Sequence, residues 1–292
     1  MSSELQLPIR QKLFAFLERD YQQDVALLNA QIGKSGDAGF KACMPPVPFA
    51  GNPFALESGN CIAIFGINPM WGGFDGKHGK NRLRHKHAID QKRYSDFLAM
   101  RAEEFYENGP DGSYYGRYYT PLGKHLHREW FSRYANNKEL DVKAAKEVFR
   151  RFVFKSDFLP WFSSKTDEIV AKNLLTYRIE AVQAHQELLS MFIDWLRPHW
   201  IQFNGSQMLG AISLVTEAEL LPISIGTTRK PMYIRVGRSK RFSDTPVLVH
   251  GFVNSQGGPQ TAEEFHRAAE AFEAWVGDDT VFAFRTPNTL NQ

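Results

Sequence analysis

Short apolar runs alternate with longer amphipathic segments along most of the chain, and this alternation constrains the fold more than any other feature. The runs Cys61–Ile67, Phe152–Lys155, Trp200–Phe203 and Pro246–Val249 have the length and the β-branched or aromatic content of buried strands. The segments between them carry apolar residues at helical spacing. Strands that alternate with helices pair in parallel, with helices on both faces. The pattern therefore predicts a three-layer α/β/α fold around a mostly parallel sheet.

Periodicity and capping residues predict the remaining elements. A strand or hairpin arm is expected over Met232–Val236, and Thr261 and Glu264 stand where a capping box would begin the closing helix, Thr261–Trp275. Other helices are expected over residues 7–30, 96–108, 121–135, 141–150, 166–196 and 206–214, and a basic loop over 72–95. Because no repeat or linker interrupts the chain, a single domain over 1–292 is expected, with a helical N-terminal extension (1–60) and a basic insertion (72–117).

Composition excludes several classes of protein. Hydrophobic residues make up 43% and charged residues 23% of the 292 residues, a balance that lets a globular domain bury a core. Cys43 and Cys61 are too few for an iron–sulfur cluster or a cysteine-rich zinc site, which need about four ligands. The N-terminus lacks the apolar stretch of a signal peptide, and no segment has the apolar length of a membrane span. A cytoplasmic protein that has no cofactor and does not contact a membrane is expected.

Polar residues and glycines follow each predicted strand, at the edge where open parallel sheets place their sites. The four segments after the strands are Gly66–Trp71, Ser156–Trp161, Asn204–Gln207 and His250–Gly258. None of them has metal-ligand spacing. The pairs His85/His87 and His125/His127 have no carboxylate or cysteine partner at useful spacing, so no metal is expected.

In this order, the segments resemble the motifs of the uracil-DNA glycosylase superfamily. Gly66-Ile67-Asn68-Pro69 is similar to the G-x-N-P motif of its mismatch-type branch, and His250 with the Gly/Ser-rich loop after it is similar to the final motif. Tyr118–Gly123 resembles the aromatic platform before a helix, and the end of the second strand resembles the motif that recognises the flipped base. The resemblance covers roughly residues 60–275 and leaves the first helix and the insertion unexplained.

The resemblance implies that the chain hydrolyses the bond between a base and its sugar. Asn68 would position the attacking water, and His250 would donate a hydrogen bond to the base carbonyl as negative charge develops there. Tyr119, or its neighbour Tyr118, would stack on the extruded base. In the final motif, Gly251 departs from the family's proline. The residues expected to contact the base are Asp157, Tyr119, Tyr118, Ile67 and Trp71.

Asp157, where the family has asparagine, determines which base is expected. A carboxylate only accepts hydrogen bonds, so it would repel the C4 carbonyl of uracil but accept from the amino group of cytosine. A proton on Asp157 or on the base would improve the fit to the ring nitrogen and help the base to leave. Because excision of ordinary cytosine would be toxic, the expected target is a modified cytosine, with a large 5-substituent, in foreign (phage) DNA. The alternative is that Asp157 caps the following turn.

Two basic stretches predict DNA as the partner, although the net charge is only +3. Residues 77–93 hold seven Lys/Arg and residues 229–241 hold six, clusters that are typical of phosphate contacts. Both are expected to lie beside the site. In the last loop, Phe252, Val253 or Gln256 would fill the gap left by the base. The expected DNA-binding residues are Lys77, Lys80, Arg82, Arg84, Lys86, Arg229, Lys230, Arg238, Lys240, Arg241, Asn254, Ser255, Gln256 and Gly257.

Three classes of function stay open. The first is a monofunctional DNA glycosylase, acting on a modified cytosine or, as a repair enzyme, on uracil or a mismatched base. The second is a non-catalytic sensor of modified or damaged nucleic acid on the same fold. The third is an unrelated α/β hydrolase acting on a nucleotide or nucleoside. The chain has neither a G-x-S-x-G elbow nor a P-loop, which disfavours serine hydrolases and NTPases.

Overall fold

A computed structural model describes residues 2–34, 38–67, 69, 71–75, 79–107, 122, 125–126, 151–163, 168–176, 179–205, 208–227, 231–251, 259 and 261–283. Within these ranges the helices are α1 (Ser2–Leu17), α2 (Tyr21–Gln31), α3 (Gly79–Asp90), α4 (Tyr94–Glu107), α5 (Glu168–Thr176), α6 (Glu180–Leu196), α7 (Leu209–Thr216) and α8 (Ala262–Val276). The strands are β1 (Ile62–Gly66), β2 (Val153–Asp157), β3 (Ile201–Asn204), β4 (Leu221–Ser224), β5 (Tyr233–Ser239) and β6 (Thr245–His250).

The strands form one sheet in the order β2-β1-β3-β6-β5-β4. The first four are mutually parallel, and β5 and β4 add an antiparallel edge beside β6. The predicted α/β class and mostly parallel sheet are therefore confirmed. Strand β4 was not expected, because its four residues lack a buried apolar face and include Pro222.

The sheet separates two apolar clusters, since successive side chains of a strand point to opposite faces. On the first face, Phe65 and Phe203 pack with α1, α4 and α6. On the second face, Ile62 and Ile64 pack with α8 and with Leu122. Helices thus cover both faces, as the alternation in the sequence predicts.

Two predicted helices are each divided in two. The expected helix over 7–30 is α1 and α2, which are separated at Asp20, whose side chain accepts hydrogen bonds from two backbone N–H groups of α2. The expected helix over 166–196 includes α5 and α6, and α6 begins after extended Ile179. Both breaks are hidden in the sequence because the helices on either side pack against the same first-face cluster, which keeps the apolar spacing continuous.

The expected basic loop over 72–95 is instead largely the helix α3. Its apolar buried side chains are only Ala88 and Ile89, too few to give a helical periodicity in the sequence. The helix expected over 96–108 is confirmed as α4. Of the helix expected over 121–135, only residues 122 and 125–126 are described, and all three are helical. The helix expected over 141–150 lies outside the described residues.

The capping box predicted for the closing helix is confirmed. The backbone N–H of Glu264 donates to the Thr261 hydroxyl, and the Glu264 carboxylate accepts from the Thr261 N–H. This pair fixes the start of α8, which covers the second face. Among the described helices, none is both long enough and apolar enough to cross a membrane.

Candidate functional site at the carboxyl edge of the sheet

The carboxyl ends of the four parallel strands bring four residues into one row. Gly66 pairs with Asp157 between β1 and β2, and Asn204 pairs with His250 between β3 and β6. The register between β1 and β3 continues the same row. Its order is therefore Asp157, Gly66, Asn204, His250, with neighbouring Cα atoms about 5 Å apart. The structure thus joins the strand ends that the sequence indicates.

The second face of the sheet changes from apolar to polar towards this row. The four positions of the row lie on the same side of the sheet as Ile62 and Ile64, which is the second face. One step below the row, Lys155 and Gln202 point the same way, on either side of Ile64. Five polar side chains therefore lie on the second face near the carboxyl edge: Lys155, Asp157, Gln202, Asn204 and His250.

Glycine at position 66 makes room for the carboxylate of Asp157. A Cβ at Gly66 would lie 2.1 Å from Oδ1 of Asp157, so this oxygen occupies the space above β1 that a side chain would fill. Burial raises the pKa of Asp157, and the positive charge of Lys155 opposes that rise. Burial also lowers the pKa of Lys155. A protonated Asp157 is therefore reached at higher pH than for an exposed carboxyl group.

The backbone after Asp157 does not need a cap from its side chain. The N–H of Phe158 donates to the carbonyl of Gly66 at 3.1 Å, and the N–H of Leu159 donates to the carbonyl of Ile67 at 2.9 Å. A turn-capping carboxylate at Asp157 would bind the N–H two residues on, that of Leu159, which is already bonded to Ile67. The capping alternative for Asp157 is therefore wrong, and its carboxylate lies above β1 instead.

Helix α6 holds the end of β2 from the first face. Nε2 of His185 lies 2.8 Å from the carbonyl oxygen of Asp157, and Nε2 of Gln186 donates to the carbonyl of Phe158 at 3.0 Å. Burial lowers the pKa of His185 to about 4, so its ring is neutral at pH 7 and its Nε2 carries the proton that this carbonyl accepts. The position of Asp157 is thus fixed by backbone contacts.

Asn68 lies outside the described residues, but backbone hydrogen bonds fix the residue on each side of it. The Ile67 carbonyl accepts from the N–H of Leu159, and the Pro69 carbonyl accepts from the N–H of Ser163 at 3.2 Å. The side chain of Ile67 is buried in the first-face cluster. The expected contact of Ile67 with a base is therefore wrong, because its side chain points away from the row.

Trp71 belongs to a small aromatic cluster on the loop after β1. Its ring centroid lies 5.2 Å from that of Phe74 and 6.0 Å from that of Phe162, both in T-shaped geometry. The guanidinium carbon of Arg82 lies 5.5 Å from the Trp71 centroid, and Nη1 of Arg82 donates to the carbonyl of Gly73 at 2.6 Å. Arg82 therefore stabilises this loop and Trp71 packs within it, and their expected contacts with phosphate and with the base stay predictions.

His250 has a protein partner at each ring nitrogen. Nε2 lies 3.2 Å from Nε2 of Gln202, and Nδ1 lies 3.0 Å from the carbonyl oxygen of Gly251. An amide nitrogen only donates, so Nε2 of His250 accepts and Nδ1 carries the proton. Burial lowers the pKa of His250 to about 4. In this arrangement the neutral ring does not offer a hydrogen to a base carbonyl, and the donor role expected from the sequence would require Nε2 to leave Gln202.

Asn204 is a polar residue of the row to which the sequence assigned no role. It is 4% exposed, and its Oδ1 has no hydrogen-bond partner in the described part of the chain. It lies between Gly66 and His250, where a group bound over the row would meet it. Its position directly after an apolar run is the only signal of it in the sequence.

The first basic stretch lies at the same edge as the row. Helix α3 follows the loop that leaves β1, and its Lys80 and Arg84 are exposed. Lys86 forms an ion pair with Asp90 and a 3.3 Å hydrogen bond to the hydroxyl of Tyr21. Lys86 is therefore engaged by Asp90 and Tyr21, and the exposed side chains of Lys80 and Arg84 stay the predicted phosphate contacts of this helix.

The last part of the second basic stretch lies away from the row. Strand β5 runs antiparallel to β6, so Arg238 pairs with Pro246 near the start of β6. Lys240 and Arg241 lie in the turn beyond it. The expectation that this stretch lies beside the site is therefore wrong for Arg238, Lys240 and Arg241, which lie at the opposite edge of the sheet.

Several predicted site residues lie outside the described residues: Tyr118, Tyr119, Lys77, Arg229, Lys230, Asn254, Ser255, Gln256 and Gly257. The same holds for the wedge candidates Phe252 and Val253. Leu122, which follows the Tyr118-Tyr119 pair, is buried in the second-face cluster. Nε2 of His125 lies 2.9 Å from Oε2 of Glu273 on α8. The segment after the two tyrosines therefore packs on the face to which the row points.

Comparisons with known proteins do not assign the chain to a family. Neither a scan against protein-family models nor a search of curated proteins finds a match.

Within the described ranges, no three His, Cys, Asp or Glu side chains are grouped as metal ligands would be. The interpretation of the site depends on its geometry and on the sequence motifs.

Proposed function

We propose that the protein is a monofunctional DNA glycosylase, which extrudes a base from DNA and hydrolyses the bond between that base and its sugar. The observation that supports this most strongly is the row of Asp157, Gly66, Asn204 and His250. It brings together residues from three of the sequence motifs, including the motif that contains Asn68. The order of those motifs resembles the uracil-DNA glycosylase superfamily. A protein with this mechanism needs no cofactor or metal.

The chemistry of Asp157 supports a cytosine-type base as the substrate. Its carboxylate accepts a hydrogen bond from the exocyclic amino group, and when protonated it also donates to the ring nitrogen of the base. The raised pKa of Asp157 favours that proton. Asn68 positions the water, and Tyr119 or Tyr118 stacks on the base. We propose a modified cytosine in foreign DNA, met in the cytoplasm, as the target.

The charge at the carboxyl edge supports DNA as the partner. Lys80 and Arg84 on α3 contact phosphates in this proposal, and Arg229 and Lys230, which lie outside the described residues, stay predicted phosphate contacts. Arg238, Lys240 and Arg241 take no part, because they lie at the other edge. The loop after His250 enters the duplex and fills the gap left by the base.

An abasic-site assay tests this function. Single- and double-stranded oligonucleotides carry uracil, mismatched thymine, cytosine, 5-hydroxymethylcytosine or its glucosylated form, and alkali cleaves the abasic product. Cleavage of one substrate that is lost in Asn68→Ala supports a glycosylase, with Lys240→Gln as the control that keeps full activity. A wild-type protein that leaves every oligonucleotide intact contradicts it.

A second candidate function is recognition of a modified base without catalysis. The observation that favours it is the neutral His250 ring, whose nitrogens are both bonded to protein groups and offer no donor to a leaving base. This candidate predicts salt-sensitive binding that depends on the base, with no abasic product on any substrate. The same oligonucleotides, followed by fluorescence anisotropy, distinguish the two functions.

A further inference from the structure

We propose that Asn204 is a second base-recognition residue, whose Oδ1 accepts a hydrogen bond from an N–H or O–H group on the edge of the bound base. This inference rests on the proposed function, since it names which chemical groups the substrate presents at the same row. It assigns to the third strand a role that the motifs of the sequence do not indicate.

The first observation is that the Asn204 amide is buried but incompletely bonded. Its side chain is almost entirely shielded from solvent, and Oδ1 has no partner in the described part of the chain. Buried polar atoms nearly always have a hydrogen-bond partner, because the removal of hydrating water is otherwise not compensated. An acceptor left open at the carboxyl edge of a parallel sheet is therefore a position at which a ligand can supply the donor.

The second observation is that the donors nearest in the row are already used. Gly66 has no side chain, and the N–H of Gly205 donates to the carbonyl of His250 at 2.9 Å. The Nδ1–H of His250 is directed to the carbonyl of Gly251. The amide of Gln202 is directed to Nε2 of the same histidine. Among the described side chains named here, Oδ1 of Asn204 is the acceptor that has no partner.

The third observation is the spacing of the two acceptors. Asp157 and Asn204 stand on either side of Gly66, and Oδ1 of Asp157 already extends over that glycine. This brings the carboxylate to about one strand spacing, about 5 Å, from the position of Asn204. A flat base over Gly66 can then donate to both residues if it presents two neighbouring donors. A cytosine with a hydroxyl on its 5-substituent presents them, whereas uracil and thymine have no donor at C4 or C5.

Three proteins and five bases test this inference. Oligonucleotides carry uracil, 5-hydroxymethyluracil, cytosine, 5-methylcytosine or 5-hydroxymethylcytosine. The wild type is compared with Asn204→Leu, which removes the acceptor, and with Asn204→Asp, which keeps it. Single-turnover excision rates and equilibrium binding by anisotropy are both measured. Thermal unfolding of each variant shows whether the fold is retained, a readout that a merely structural residue would change.

The expected result is a wild-type preference of about tenfold for the base with the extra donor, the value of one hydrogen bond. Asn204→Leu should bring that ratio close to one without lowering Tm, and Asn204→Asp should keep it. The contrasts of 5-methylcytosine with 5-hydroxymethylcytosine and of uracil with 5-hydroxymethyluracil report a hydroxyl donor, and the contrast of uracil with cytosine reports an amino donor. Ratios that Asn204→Leu leaves unchanged overturn the inference. If no base is excised but the binding ratios change as described, the glycosylase proposal fails and this inference stands; if binding is also indifferent to the base, both fail.

Discussion

The two ends of strand β3 differ in how their buried polar side chains are used. His199, just before the strand, has a backbone carbonyl at each ring nitrogen: Nε2 lies 2.7 Å from the oxygen of Gly59, and Nδ1 bonds the carbonyl of Val281. Asn204, at the other end, has an Oδ1 without a partner in the described residues. The first residue bonds to two backbone segments, whereas Oδ1 of the second forms no bond of this kind. The proposed function accounts for this difference, since it gives His199 a role in stability and Asn204 a role in binding the base.

The largest expected effect concerns two buried histidines near the carboxyl edge. The pKa values of His185 and His250 are lowered from 6.5 to about 4, so the folded state binds fewer protons than the unfolded state between these pH values. Their contribution is complete above pH 6.5 and is lost as the pH falls towards 4, by at most about 3 kcal/mol for each histidine. Urea unfolding at pH 7.5 and at pH 5 measures this loss. His250→Gln should lose less than the wild type, and equal losses would contradict the assignment.

The second prediction compares the two ends of β3 directly. His199→Ala removes a buried ring whose nitrogens face two backbone carbonyls, to one of which a neutral ring donates, and should lower the free energy of unfolding by about 2–4 kcal/mol. Asn204→Ala removes an acceptor that has no partner to lose, so it should cost less than about 1 kcal/mol. Urea unfolding at neutral pH measures both. Equal destabilisation by the two substitutions would remove the distinction between the two ends.

The third prediction concerns the space above Gly66. Gly66→Ala places a Cβ where Oδ1 of Asp157 lies, so the carboxylate must turn away from the row. Excision should slow by roughly tenfold to a hundredfold, the cost of losing one positioned, charge-assisted hydrogen bond. The double variant Gly66→Ala/Asp157→Ala should be no slower than Asp157→Ala alone, because both changes remove the same hydrogen bond to the base. Additive effects would mean that Gly66 acts independently of Asp157.

The smallest effect compares the basic residues at the two edges of the sheet. Lys80→Gln/Arg84→Gln should make the dependence of DNA affinity on salt shallower, by about 0.9 in logarithmic slope for each phosphate that is no longer neutralised. Lys240→Gln/Arg241→Gln changes the net charge equally at the opposite edge and should leave the slope unchanged. Titrations at several salt concentrations measure both. Equal changes in slope would show that DNA does not distinguish the two edges.

Parallel strands could be predicted where they are buried on both faces and appear as continuous apolar runs, as in Ile62–Gly66 and in the Pro246–Val249 part of β6. Helix α3 could not be predicted in this way, since its few buried residues leave no periodic pattern. The break at Asp20 was hidden by the common core on either side of it. The local sequence therefore predicts which segments are buried better than it predicts where helices and strands begin and end.

The candidate site, too, could be predicted from the sequence only in part. The sequence placed Asp157 and His250 at strand ends, and the row confirms that parallel pairing brings those ends together. It could not place Arg238, because the side of the sheet on which that residue lies depends on the reversal between β5 and β6. Nor could it indicate that Asn204 lacks a partner for Oδ1 among the described residues, since that property depends on how neighbouring side chains bond to one another.

The most direct test of the central claim is the base preference of Asp157→Asn in the abasic-site assay. The claim is that a base binds over the row and that residue 157 distinguishes its donors from its acceptors. An amide can donate to the C4 carbonyl of uracil, which a carboxylate cannot. The account predicts that Asp157→Asn loses most of its activity on the cytosine-type substrate and gains activity on uracil. An unchanged preference, in a variant as stable as the wild type, would contradict the assignment of this edge as the base-binding site.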